Sequence, residues 1–318
     1  MPMPMPMPMP IDLSGLRFLK PVAFSDGDRS RAVLGELFAP DFDDPEELLA
    51  DIDDEAWEPE SPEGGVILVT KLPEEIDPAL EGELEAMLPA QTRSRLSRFQ
   101  NPRRRRQSLY GRLLAQRLAN IASEVSSGSY FLREQPPEGP LLADYEGRPF
   151  GRIAIAHTEE GVAASLSRRR AGIDLEILKP HERLSGLADF ALGEDFADAI
   201  RELQKTDARR ADEAFLAAWG AIECAQKYNG EDRKSAAASP AHEELLSKYA
   251  RPPEVEVLWK KGLVARDPAG KAVPIEFLET PAGHLTLLGF PAGRSIEILT
   301  LSPEALLEEF RSHVRAFL

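Results

Sequence analysis

A chain of 318 residues, 42% of them apolar, can hold one large domain or two of ordinary size. Its net charge of −16 argues against a general binder of nucleic acid or membrane surfaces, and no apolar stretch is long enough to span a bilayer. Cys224 is the only cysteine, which excludes an intramolecular disulfide and a cysteine zinc cluster and suits a reducing cytoplasm.

The opening "MPMPMPMPMP" has no basic n-region, and its alternating proline forbids an apolar helix. It reads as an extended tail. Residues 1–64 read as a partly disordered N-terminal extension. A few apolar pieces ("LRFLKPVAF", "AVLGELFAP") precede a run, 41–63, with many Asp and Glu and no Lys or Arg.

Compact structure is expected from "GVILVTKLP", a strand ended by proline. A helix follows over about 78–88. "LPAQTRSRLSRFQNPRRRRQSLYGRLLAQRLANIA" reads as a short helix, a basic turn at Asn101-Pro102 and a long helix with Leu109, Leu113, Leu114 and Leu118 on one stripe. Nine arginines lie within 93–117, a block that could receive an anionic ligand. "EGRPF" and "GRIAIAHTEEGVAASLSRRRAGIDLEIL" predict three strands with tight connections. Residues 184–203 are helical. "DEAFLAAWGAIECAQKY" is a strong helix whose apolar face holds Phe215, Ala218, Trp219, Ile222 and Ala225. Residues 229–253 are polar and loop-like. Strands are expected near 255–259, 273–278, 284–289 and 295–301, and a final amphipathic helix over about 303–316.

A faint internal repeat sets Tyr110-Gly111 opposite Trp219-Gly220, each in a helix that follows a shorter helix and a basic stretch. The expected fold class is α+β. Two similar lobes, 65–170 and 171–318, would be related by pseudo-twofold symmetry, with the active site between them.

The chemistry concentrates in "GIDLE". Alternation makes 172–176 a strand, so Asp174 and Glu176 project from one face. Such a pair is either the wet side of a half-buried strand or a hard-cation site for Mg²⁺ or Mn²⁺. Glu223 would supply a third acid, at the edge of the apolar face of its helix, with Lys227 one turn on. Taken singly, a Glu–Lys pair decorates many exposed helices, and a lone His157 is commonly structural.

Together, "IAIAHT", "GIDLE" and W-x-x-x-E-x-x-x-K resemble the 4′-phosphopantetheinyl transferase superfamily. The nearer likeness is to its two-lobed, single-chain class, which activates peptide and polyketide synthases. The resemblance covers roughly 65–300. It implies Mg²⁺ on Asp174, Glu176 and Glu223, with Mn²⁺ as a substitute, and coenzyme A as co-substrate. His157 and Arg148 would contact the 3′-phosphoadenosine end, joined by members of Arg103–Arg106, Arg103 and Arg106 foremost. Lys227 would touch the pyrophosphate, and Glu223 would serve as base. The partner would be an acyl or peptidyl carrier protein, and the chain a cytoplasmic monomer that binds neither nucleic acid nor membrane. One departure stands out: the family's helix motif carries a lysine where Ile222 stands. That leaves open a degenerate relative that binds CoA or a carrier without transfer.

Overall fold

The computed structural model describes Leu13, Leu16, Phe18, Arg31 and residues 65–126, 129–134, 140–168, 170–180, 183–229, 256–259, 263–290, 294–299 and 302–316. The expectations for the Met-Pro tail, the acidic run and nearly all of 229–253 fall outside the described residues. The fold is α+β. Two compact units form.

In the first unit, β1 (Gly65–Lys71) reads as a near-continuous apolar run because it lies inside a sheet. Helix α1 (Pro78–Ala86) starts where the Asp77 carboxylate accepts from the amides of Ala79 (2.7 Å) and Leu80 (3.2 Å), with proline in the first turn. After α2 (Ala90–Leu96) comes α3 (Pro102–Ser126). The Asn101-Pro102 turn is the cap of that helix: the Asn101 side chain accepts from the Arg104 amide at 3.1 Å. Leu109, Leu113, Leu114 and Leu118 are all buried in the core.

The sheet continues with β2 (Tyr130–Arg133), β3 (Leu141–Asp144), β4 (Pro149–His157) and β5 (Gly161–Ser167). Gly111 of α3 lies so close to β4 that a Cβ there would strike Ile155.

The second unit holds β6 (Gly172–Glu176), α4 (Leu184–Leu192), α5 (Glu194–Thr206) and α6 (Ala208–Tyr228). Strands β7 (Glu256–Trp259), β8 (Leu263–Arg266) and β9 (Ala272–Val273) form one small sheet. Strands β10 (Ile275–Thr280) and β11 (Gly283–Leu288) join β6 in another, ordered β10-β11-β6. Strands β2, β3 and β8 have no counterpart in the sequence reading.

The last segment, β12 (Ser295–Leu299) and α7 (Pro303–Ala316), departs from the expected boundary. Instead of staying with the second lobe, 290–318 belongs to the first unit. The cause is pairing: β12 runs parallel to β1 from Val66–Ser295 to Thr70–Leu299, completing the order β12-β1-β5-β4-β3-β2. Leu306, Leu307 and Phe310 of α7 then enter the core of α3. Sequence-adjacent reasoning misses this because a parallel partner needs a long connection, here residues 72–294, which run through the rest of the first unit's sheet and then 172–289 of the second unit.

The N-terminal extension contributes two apolar residues to a core. Leu13 and Leu16 are buried in the core of the second unit among Leu184, Phe196, Ala214 and Phe215. No helix among the described residues is long and apolar enough to cross a membrane.

Candidate active site

Strand β6 begins with glycine because α6 lies directly on it. A Cβ at Gly172 would collide with the main-chain carbonyl of Cys224. A second close approach lies further along, where Gly220 of α6 abuts the Thr286 hydroxyl of β11. These contacts seat α6 on one face of the β10-β11-β6 sheet. Asp174 pairs across with Thr286 and Glu176 with His284, so both acids belong to the face that α6 covers.

Helix α6 answers with Trp219, Glu223 and Lys227, one turn apart. The Lys227 ammonium lies 2.8 Å from Asp174 Oδ1 and donates to the Ile173 carbonyl at 2.9 Å. The Trp219 indole donates to the Glu176 carboxylate. Asp174 Oδ2 is buried and has no hydrogen-bond partner among the described residues.

Glu176 is pushed well above the usual carboxylate range, to about 7. Burial is the main cause, and the charges of Asp174 and Glu223 add to it, against the pull of Lys227 and the Trp219 hydrogen bond. For Lys227 burial pulls down, but Asp174 above all, with Cys224 and Glu223, carries the net shift upward. The Cys224 thiol is pushed up by burial and neighbouring acids, and it donates to the Thr286 carbonyl at 3.3 Å. It packs rather than reacts.

Three acids thus share one electrostatic neighbourhood with one ammonium. In kind, they are the hard oxygen donors that Mg²⁺ or Mn²⁺ takes, and a buried carboxylate oxygen without a partner suits a cation. In geometry, no group of three or more His, Cys, Asp or Glu among the described residues is gathered to hold a metal ion. Lys227 supplies the positive charge in the arrangement as packed.

The basic residues are divided. Arg103, at the start of α3, pairs with Glu159 at 3.0 Å, and Gln107 donates to the Thr158 carbonyl. The start of α3 therefore abuts the turn that follows His157. Arg106 donates to the Glu74 carbonyl at 2.7 Å, and Arg105 is held by Glu81 and Glu85. Arg148 stands apart from His157. The two flank opposite ends of β4, which at ~3.3 Å per residue separates them by roughly 30 Å. Arg148 is 41% exposed and is engaged by its own turn, 2.7 Å from Asp144 Oδ2 and 3.1 Å from Glu146 Oε2. Strand geometry thus sets Arg148 away from the grouping with His157 that the resemblance implies.

Sequence reasoning gave Trp219 no role and passed over His284 and Thr286, the cross-strand partners of the two acids. The signal was there in part: Trp219 stands four residues before Glu223, and "GHLTLL" alternates. Ile222 also differs from expectation. It is half-buried, as is Trp219, while Ala211, Ala214, Ala218, Ala221 and Cys224 take the buried positions.

No protein-family model matches the chain, and no curated protein matches it.

Proposed function

We propose that the protein transfers the 4′-phosphopantetheinyl arm of coenzyme A to a serine of an acyl or peptidyl carrier protein. The observation that supports this reading is Asp174 and Glu176 on the face of β6 that α6 covers, with the Lys227 ammonium on Asp174 and the charge of Glu223 close enough to act on Glu176. Bound at those acids, Mg²⁺ or Mn²⁺ would neutralise charge growing on the pyrophosphate.

The chain's own groups divide the remaining work. Asp174 and Glu176 lie on a strand and Glu223 on a helix pressed against it, so the donors are held by rigid elements. Glu223 takes the proton of the serine hydroxyl, directly or through a water it orients. The serine oxygen bonds to the phosphorus that carries the pantetheine arm. The bridging P–O bond breaks, and adenosine 3′,5′-bisphosphate leaves. An ammonium has three N–H groups, and Lys227 uses two on Asp174 and Ile173. The third can meet the leaving phosphate as a fixed positive charge. His157 and Arg103 are assigned to the 3′-phosphoadenosine end, with Arg106 in support.

The two units would then be versions of one α+β plan, as in the two-lobed class. The close packing of Gly111 on β4 and of Gly220 on β11 supports that reading. The same reading makes the protein a cytoplasmic monomer.

Ile222 favours a second reading, a relative that binds CoA or a carrier without transfer. Mass spectrometry of an apo carrier protein incubated with this protein, CoA and Mg²⁺ decides between them. A carrier that gains the arm with the wild type and not with Asp174→Ala supports transfer. A carrier left unmodified by folded wild-type protein removes it.

A further inference from the structure

The described residues of the N-terminal extension do more than fill space. Leu16 is 2% exposed, inside the core under α4 and α5. The Arg210 guanidinium, in the first turn of α6, donates to the main-chain carbonyls of both Leu13 and Leu16. Phe18 sets its ring edge-on to two side chains of the neighbouring sheet: Phe277 of β10 at 5.7 Å and His284 of β11 at 4.7 Å between centroids. The segment therefore touches α6 at one end and the β10-β11 hairpin at the other.

His284 is the residue that makes this contact matter. It stands opposite Glu176 in the β11–β6 register, and its Nδ1 is buried without a hydrogen-bond partner among the described residues. Glu176 ends β6, which among the described residues is an edge strand paired with β11 alone. The end of an edge strand frays easily unless something packs its neighbour. The contacts run in sequence: Phe18 packs His284, His284 faces Glu176 across the β11–β6 pair, and Trp219 of α6 meets the Glu176 carboxylate.

We infer that the segment carrying Leu13, Leu16 and Phe18 is an intramolecular strap that clamps α6 to the β10-β11-β6 sheet, and that Phe18 and His284 are positioning residues for Glu176. The consequence for cation binding rests on the function proposed above, whereas the clamping does not. A site whose donors come from two elements depends on their spacing, and a displacement of about 1 Å is enough to spoil it.

The test uses the full chain and two measurements. Amide hydrogen exchange is compared between wild type, Phe18→Ala and Phe18→Tyr. In Phe18→Ala the amides of β6, β11 and the first half of α6 should exchange at least tenfold faster, with those of β1 and β5 unchanged. Phe18→Tyr, which keeps the ring edge and can send its hydroxyl to water from a half-buried site, should restore protection. Should Phe18→Ala yield no soluble protein, Phe18→Leu gives the same comparison with burial kept and the ring removed. Unchanged exchange, or a uniform rise across both units, overturns the strap.

The second measurement titrates Mn²⁺ alone and follows the loss of its free-ion electron paramagnetic resonance signal. About tenfold weaker binding in Phe18→Ala, recovered in Phe18→Tyr, supports the positioning role. Faster exchange with Mn²⁺ binding unchanged overturns that role and leaves only the clamp. If wild-type protein binds no Mn²⁺ while exchange responds as described, the metal reading fails and the strap stands.

Discussion

The Lys227 ammonium lies 2.8 Å from Asp174 Oδ1, so the first acid of the "GIDLE" strand is already paired by a cation that the chain itself supplies. Asp174 is nearly buried and Lys227 about one-third exposed. Deleting the lysine leaves a buried charge beside two other acids. Lys227→Met should therefore cost about 3 kcal/mol, the lower end for a broken buried pair because the ammonium is partly wet. Mn²⁺ should recover more of the lost melting temperature in this variant than it adds to the wild type. Equal shifts by calorimetry would mean that the ion does not take the place left by Lys227.

Glu176 supplies a pH dependence with a definite sign. Its folded-state value, about 7, is above that of an unfolded glutamate. Between the two the folded protein binds more protons, so the contribution of Glu176 to stability falls as pH rises from about 4.5 to 7 and is level above that. The loss is on the order of 2–3 kcal/mol. In urea unfolding at pH 5 and pH 8, wild type minus Glu176→Gln should favour wild type more at pH 5. A difference independent of pH would contradict the raised value.

The glycines of α1 and β6 should respond in opposite directions. Gly172→Ala drives a methyl into the Cys224 backbone, which cannot step aside as a side chain tip can, and should cost about 1–3 kcal/mol or more. Gly82, exposed in α1 with nothing near its missing Cβ, should gain ~0.5–1 kcal/mol on substitution by alanine. Thermal unfolding of the two variants checks both signs.

What could be read from the sequence follows from the range of each signal. Alternation is local, so "GIDLE" alone places Asp174 and Glu176 on one face, and a 3.6-residue period places Leu109, Leu113, Leu114 and Leu118 on another. The pairing of β12 with β1 is non-local and leaves no periodic trace in either strand. Leu13, Leu16 and Phe18 are too few and too close to proline to show a period, although they reach a core. The Lys227–Asp174 pair spans 53 residues and depends on how closely α6 approaches β6. Gly172 marks that approach, but only the structure shows against what.

Arg148 and Arg103 separate resemblance from geometry. Since β4 carries Arg148 away from His157, Arg148→Ala should leave CoA affinity within about twofold, the range of an exposed residue with no share in binding. Arg103→Ala and His157→Ala should each weaken it about fivefold, or ~1 kcal/mol, less at high salt because exposed charges are screened. Isothermal titration with adenosine 3′,5′-bisphosphate reads all three. Equal losses would mean that Arg148 reaches the ligand despite its place on the strand.

Ile222 is the most direct test of the proposed chemistry. It is half-buried, so a lysine at 222 can lay its stem along the helix and carry its ammonium outward. The stability cost should be small, under about 1 kcal/mol, unlike the cost of an ammonium at a buried position such as Ala221. One preorganised cation at a centre of growing charge is typically worth about 10²–10³ in rate. Ile222→Lys should therefore speed single-turnover transfer to an apo carrier by tens-fold or more, followed by the mass of the carrier. An unchanged rate in a protein that does transfer would mean that another cation already fills the role. Absence of transfer in both wild type and Ile222→Lys, with each folded, would overturn the transfer reading.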